Sequence, residues 1–322
     1  MAKINRQLHE NIVGYYHAYN RVAGKKKGYY PFEDPTERAI FEAHLWRLCS
    51  FFAVNLGFFA FMGNHFHLLF EMLDANALSD EEVKRRWKAH YAAALAEGRV
   101  QEPDWSQADE FAKIRKRIGN PSEFLHDLKG QFAEGYNVRH DLRGSFWDGR
   151  FKNTLLSPEA VASCARYIEL NPLRSGIESK VGAAGRNSWY NFEQSCRGKE
   201  RDFSKHPGFQ LLVKALHPDP DKPLSPGEEL ELAMMTYAAW REHFDAEEKR
   251  LADERAAAAL AKEEQRAAEL TQSCQRSWFD ALVVGDLEYC RRQAIRLHRP
   301  DTEPIELAPG LYGLFRRQRR SS

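Results

Sequence analysis

Leu56-Gly57-Phe58-Phe59-Ala60-Phe61-Met62-Gly63-Asn64-His65-Phe66-His67-Leu68-Leu69-Phe70-Glu71-Met72 decides how this chain is read. Two short apolar and aromatic runs, 56 to 63 and 65 to 72, meet at Gly63-Asn64, residue types that favour a tight turn, so the stretch predicts a β-hairpin. Alternate side chains of a strand share a face, which puts His65 and His67 together and turns Phe66 and Leu68 the other way. Two imidazoles on one face can grip a single metal ion. They could equally be packed or hydrogen-bonded strand residues, so the pair needs company before it means chemistry. Glu71 shares their face and reads as a surface glutamate ahead of a ligand.

Before the hairpin, residues 11 to 23 alternate Tyr15, His17 and Tyr19 against Tyr16, Ala18 and Asn20, which predicts a strand running into the basic loop Gly24-Lys25-Lys26-Lys27-Gly28. Asp34-Pro35-Thr36-Glu37 offers an N-cap, a first-turn proline and an acid three positions after the cap, so a helix is expected there, with Ile40, Phe41, Leu45 and Leu48 on its apolar face. After the hairpin, Ser79 to Glu97 reads as a charged helix stopped by Gly98, and 109 to 118 as a shorter basic one; together they form an insertion at about 76–119. Asn120-Pro121-Ser122-Glu123 starts another helix, a strand is expected around Ser145 to Leu156, and Ser157-Pro158-Glu159 opens a helix that Pro172 should close. The order β-α-β-β, insertion, α-β-α predicts an α+β fold: a ferredoxin-like antiparallel sheet with helices on one face and one extra helix at its end.

Beyond about residue 200 the composition changes. Pro218, Pro220, Pro223 and Pro226 read as a linker, 227 to 272 as a long solvated helix or helical hairpin, and Arg316-Arg317-Gln318-Arg319-Arg320 as a basic tail. The expected division is therefore a domain over 1–200 and a mainly α-helical extension over 201–322. At 322 residues and 43% hydrophobic content the chain can bury a substantial core and is not wholly disordered. No signal-peptide pattern or apolar run of membrane-spanning length stands out, so a soluble cytoplasmic protein without a membrane partner is expected. Five cysteines, widely spread and without a Cys-x-x-Cys pair, read as reduced thiols. A formal charge of +1 leaves any nucleic-acid contact to local patches.

Within the helix that follows Ser157, Val161, Ala165 and Ile168 share one stripe, while Tyr167 and Asn171, four apart, share another. Taken alone these are an ordinary packed aromatic and a helix stop. Taken together with His65-Phe66-His67 and with Gly144-Ser145-Phe146-Trp147-Asp148-Gly149-Arg150-Phe151, the run Tyr167-Ile168-Glu169-Leu170-Asn171-Pro172-Leu173-Arg174-Ser175-Gly176 resembles the single-tyrosine HUH transposases, especially their REP-associated branch. The resemblance covers roughly residues 10 to 195, includes Ser188-Trp189-Tyr190, and departs from the family at Gly63, where a proline is common.

What the resemblance implies is specific. Tyr167 would attack a phosphate of single-stranded DNA and form a 5′-phosphotyrosine, acting on hairpin or palindromic ends. His65, His67 and Asn171 would hold a divalent ion, Mg²⁺ or Mn²⁺. Arg21, Lys25, Lys26, Lys27, Arg150, Lys152 and Arg174 would supply DNA contacts, with Tyr29, Tyr30 and Trp147 available for base stacking. A homodimer is compatible with the family. Two rival readings stand beside it: a domesticated hairpin-DNA-binding protein with dispensable catalysis, and a metal-dependent nuclease that uses water.

Overall fold

The computed structural model describes residues 13–24, 30–195, 207–217, 224–261, 281–296, 304–308 and 311–315. Its elements run β1 (Gly14–Arg21), α1 (Pro35–Phe51), β2 (Val54–Phe61), β3 (His65–Met72), α2 (Asp80–Ala96), α3 (Ala108–Ile118), α4 (Pro121–Arg139), β4 (Lys152–Leu156), α5 (Pro158–Arg174), α6 (Ser188–Ser195), α7 (Pro207–Leu216) and α8 (Pro226–Ala261), followed by β5 (Ala281–Gly285), α9 (Leu287–Arg296), β6 (Ile305–Ala308) and β7 (Leu311–Phe315). The architecture is α+β, and the order expected from the sequence up to α5 is the order found. Three helix starts follow from local chemistry. Asp34 accepts from the Thr36 N–H, Ser79 from Glu82, and Asn120 from Ser122 and Glu123, each satisfying backbone donors that a first turn leaves open.

The described chain forms two compact units. One contains Arg21–Leu56 and Glu71–Arg150; the other contains Tyr15–Asn20, Gly57–Phe70 and the described residues from Phe151 onward. These units cut across the division drawn at residue 200. In the first, the aromatic rings of Phe32, Phe41, Phe132 and Trp147 pack together, and Glu37 at the start of α1 takes two hydrogen bonds from Arg139 at the end of α4.

The second unit is built on a sheet of order β2-β3-β1-β4-β5-β7-β6. β4 runs antiparallel to β1, with Tyr15 opposite Leu156 and Tyr19 opposite Lys152, whereas β5 joins β4 in parallel. The described C-terminal residues are mainly helical, as expected, but three further strands, β5, β7 and β6, extend the sheet. The continuous apolar run Ala281-Leu282-Val283-Val284-Gly285 is of the length that periodicity alone cannot separate from a helix. One face of the sheet, through Tyr15, Phe58, Ala60, Leu69 and Leu156, packs beneath Val161, Ala165 and Ile168 of α5. The same core takes in Trp189, Phe192, Phe209, Trp240 and Phe244, each such side chain contributing about 1.5–3 kcal/mol on burial. A Cβ on Gly57 would lie 2.8 Å from Leu211 Cδ1, so the bare glycine is what lets α7 come this close to β2.

Three further expectations change. The strand around 145–156 shortens to β4, since 145–151 form a loop in which only Trp147 makes an isolated bridge, to Val22. Pro172 does not close α5; it sits inside the last turn, where its missing N–H deprives one carbonyl, and the helix runs to Arg174, before Gly176, whose φ of 75° reaches the left-handed region that glycine adopts freely. Helix α8 is not solvated all round: Ala233, Tyr237, Trp240 and Phe244 recur at helical spacing and are buried. Among the described residues no helix is long and apolar enough to cross a membrane.

Candidate active site

The β1–β4 register sets His17 opposite Thr154 and Tyr19 opposite Lys152. With a two-residue repeat, these four side chains share the face of Tyr15 and Leu156, the face that α5 covers. Along β3, Leu69 lies in that apolar core, and His67 and then His65 follow toward the hairpin turn. One sheet face therefore passes from hydrocarbon to imidazole and phenol within a few residues. Helix α5 crosses it with Ile168 turned into the core and Tyr167 alongside the imidazoles.

The rings of His65 and His67 have centroids 5.1 Å apart, at 82° to each other. His65 Nδ1 is 2.9 Å from Asn64 Oδ1, and His67 Nδ1 is 3.2 Å from His17 Nε2, with the His17 and His67 rings stacked at 5.4 Å. Tyr19 stacks on His67 from 5.6 Å. Tyr167 meets His67 edge-on at 5.7 Å and His17 at 6.3 Å, and its hydroxyl accepts a 2.8 Å hydrogen bond from the Asn171 amide. Burial, reinforced by Cys164, pushes the Tyr167 hydroxyl above the ordinary phenol range, while the Asn171 bond and Arg174 pull the other way. Burial alone brings His17 down to about 3, so it is a neutral imidazole at physiological pH.

Among the described residues, no three His, Cys, Asp or Glu side chains gather as a metal cage. The donor set on this face is two imidazoles plus an amide. With Asn171 giving its nitrogen to Tyr167, its oxygen is the atom left to meet a cation, a set suited to an ion that also takes oxygen ligands from water or phosphate. Glu71, expected on the surface, is 4% exposed.

The remaining expected residues scatter. Lys152 stands exposed at the rim, its ammonium 5.6 Å from the Tyr19 ring. Arg174 instead pairs with Glu247 of α8 at 2.8 Å, a carboxylate that Arg250 also binds. In the other unit, Arg21 and Arg150 are exposed, but Trp147 is 7% exposed among phenylalanines, with its indole N–H donating to the Lys129 carbonyl at 2.9 Å. That burial corrects the expectation of Trp147 as a stacking platform: it is a core residue. Tyr30 is 44% exposed, while Lys25, Lys26, Lys27 and Tyr29 lie outside the described residues. The alternation of Tyr15, His17 and Tyr19 predicts a strand face but gives His17 and Tyr19 no role in the site. The only signal was a histidine in the middle of an aromatic strand face.

No protein-family model matches the chain, and no curated protein matches it. Among solved structures, it is similar to a REP-associated tyrosine transposase bound to a REP hairpin, at 11% identity and a TM-score of 0.38, over 62% of this chain and 88% of that one. A match this remote leaves the chemistry of this chain to be argued from its own residues.

Proposed function

We propose that this protein cleaves single-stranded DNA and transfers the strand through a covalent 5′-phosphotyrosine on Tyr167, acting at hairpin or palindromic ends. The observation that carries the reading is the approach of Tyr167 from α5 to within 5.7 Å of His67 on β3, with Asn171 holding its hydroxyl. The strand order β2-β3-β1-β4 supports a ferredoxin-like frame for it. The Tyr167 oxygen bonds to phosphorus, the bond from phosphorus to the 3′ oxygen breaks, the phenolic proton is released and the departing 3′ oxygen takes up a proton. The 3′-hydroxyl can later attack the phosphotyrosine and reverse the step, so no nucleotide cofactor is required.

A buried phenol held above its ordinary pKa is a weak nucleophile. The chain contributes alignment and a donor: Asn171 directs its N–H at the oxygen on which negative charge develops, and the packed imidazoles hold the ring edge-on. His65 and His67, with the Asn171 oxygen, would hold Mg²⁺ or Mn²⁺, which would polarise the scissile phosphate and offset the charge building on it. Lys152, exposed beside the Tyr19 ring, would meet a backbone phosphate. Dimer formation is not required by this reading, since Tyr167 and both histidines come from one chain.

The test uses a labelled DNA hairpin with a single-stranded flank and MnCl₂. Wild-type protein should give a protein–DNA adduct that survives denaturation, and Tyr167→Phe should give none. An adduct persisting in that variant removes Tyr167 from the chemistry. Cleavage by wild type that leaves a free 5′-phosphate and no adduct assigns water as nucleophile, and hairpin binding without cleavage assigns a binding protein.

A further inference from the structure

The geometry points to His17 as a positioning residue which, together with Asn64, sets both strand histidines in the tautomer that offers Nε2 to a cation; this rests on the metal-dependent reading above. A neutral imidazole carries one proton, and whichever nitrogen holds it cannot bind metal. At His65 the Nδ1 atom is 2.9 Å from the amide oxygen of Asn64. That oxygen only accepts, so Nδ1 carries the proton and Nε2 keeps the lone pair.

At His67 the partner is another imidazole, and two arrangements are open across the 3.2 Å contact. If His17 donates, His67 uses its Nδ1 lone pair, carries its proton on Nε2 and cannot ligate through that atom. If His67 donates, His17 accepts on Nε2 and the His67 Nε2 lone pair faces outward like that of His65. Only the second gives two matching ligands on one strand face. His17 is suited to the accepting role because it is 3% exposed and its Nε2 already lies against His67 Nδ1. Its ring lies at 12° to that of His67, so it also fixes the plane in which the ligand nitrogen points. A partner of this kind, one step behind a ligand, typically changes metal affinity 10–100-fold.

Two variants separate the hydrogen bond from the packing. His17→Phe keeps an aromatic ring against His67 and removes the acceptor; His17→Gln removes the ring and restores an accepting oxygen near the same place. Titration with MnCl₂, followed by electron paramagnetic resonance, should show Mn²⁺ affinity reduced about 10–100-fold in the phenylalanine variant and largely restored in the glutamine variant. Long-range proton–nitrogen correlation spectra of the metal-free wild type should show His65 and His67 both protonated on Nδ1, a readout that needs neither variant to fold. His67 protonated on Nε2, or Mn²⁺ binding equal to wild type in the phenylalanine variant, overturns the role of His17. Adduct formation together with an Nε2-protonated His67 would sink this inference alone, whereas the expected tautomers without any adduct would sink the proposed reaction alone.

Discussion

The two sides of α5 bury ionisable groups for opposite ends. Tyr167 and Asn171 face the imidazoles of β1 and β3. Glu169, roughly 200° round the helix, enters the core at 0% exposure. There its carboxyl accepts from the Ser188 hydroxyl and the Trp189 N–H, and the Ser188 oxygen in turn accepts from the Phe59 N–H of β2. Asn187 adds a bond to the Glu169 carbonyl, and the Phe61 N–H donates to the Arg186 carbonyl. One side of the helix is thus locked to the sheet through 186–189, and the other presents its phenol to the imidazoles of His17 and His67. The proposed nucleophile would need to be held to a fraction of an ångström, which rigidity on the Glu169 side would provide for Tyr167.

The sharpest way to break this contrast is truncation on the locked side. Glu169→Ala leaves the Trp189 N–H and Ser188 without their partner and opens a cavity, so a loss of about 3–5 kcal/mol is expected in urea unfolding. A loss below about 1 kcal/mol would show that Glu169 is not the lock.

Protonation gives an effect of comparable size. Burial is the main cause that raises Glu169 to about 8, against the Ser188 and Trp189 hydrogen bonds that lower it. Between the ordinary value of 4.5 and about 8 the folded chain keeps a proton that the unfolded chain has released. Its contribution is therefore complete at low pH and lost as pH rises through that window, on the order of 5 kcal/mol over its full width. Glu169→Gln stays neutral across this range and keeps an amide oxygen as acceptor, as the protonated acid does. Unfolding free energies at pH 5 and pH 8.5 should converge in this variant relative to wild type; an unchanged difference refutes the assignment.

On the open side the same measurement should register little. Tyr167→Phe gives up one hydrogen bond, about 1 kcal/mol, while abolishing the adduct. A destabilisation as large as that of Glu169→Ala would erase the distinction between the two sides. The last test concerns Arg174, which pairs with a Glu247 that is 8% exposed and also bound by Arg250. Glu247→Gln should cost about 1–3 kcal/mol of stability by leaving two guanidinium groups without their carboxylate, and should tighten hairpin DNA binding by freeing a cation beside the tyrosine helix. Unchanged affinity at low and moderate salt would show that Arg174 does not reach the DNA backbone.

How much of this was legible in the chain follows from the range of each interaction. The caps at Asp34, Ser79 and Asn120, the hairpin around Gly63-Asn64, and the shared faces of His65/His67 and Tyr167/Asn171 depend on neighbours within a few residues and could be read directly. Trp147 could not, because an aromatic beside arginines looks the same whether it meets phenylalanines or a base. The buried stripe of α8 was hidden by the surrounding charge, although Ala233, Tyr237, Trp240 and Phe244 were in register for it.

The sequence by itself determined the order of elements up to α5 and the faces shared by His65/His67 and Tyr167/Asn171, because those follow from backbone period and local hydrogen bonding. Only the tertiary structure decided that His17 backs His67, that Glu169 reaches Ser188, that Arg174 is spent on Glu247 and that β5 extends the sheet. Each of those pairs joins residues far apart in the chain, where nothing but the packing of whole elements selects one partner among many.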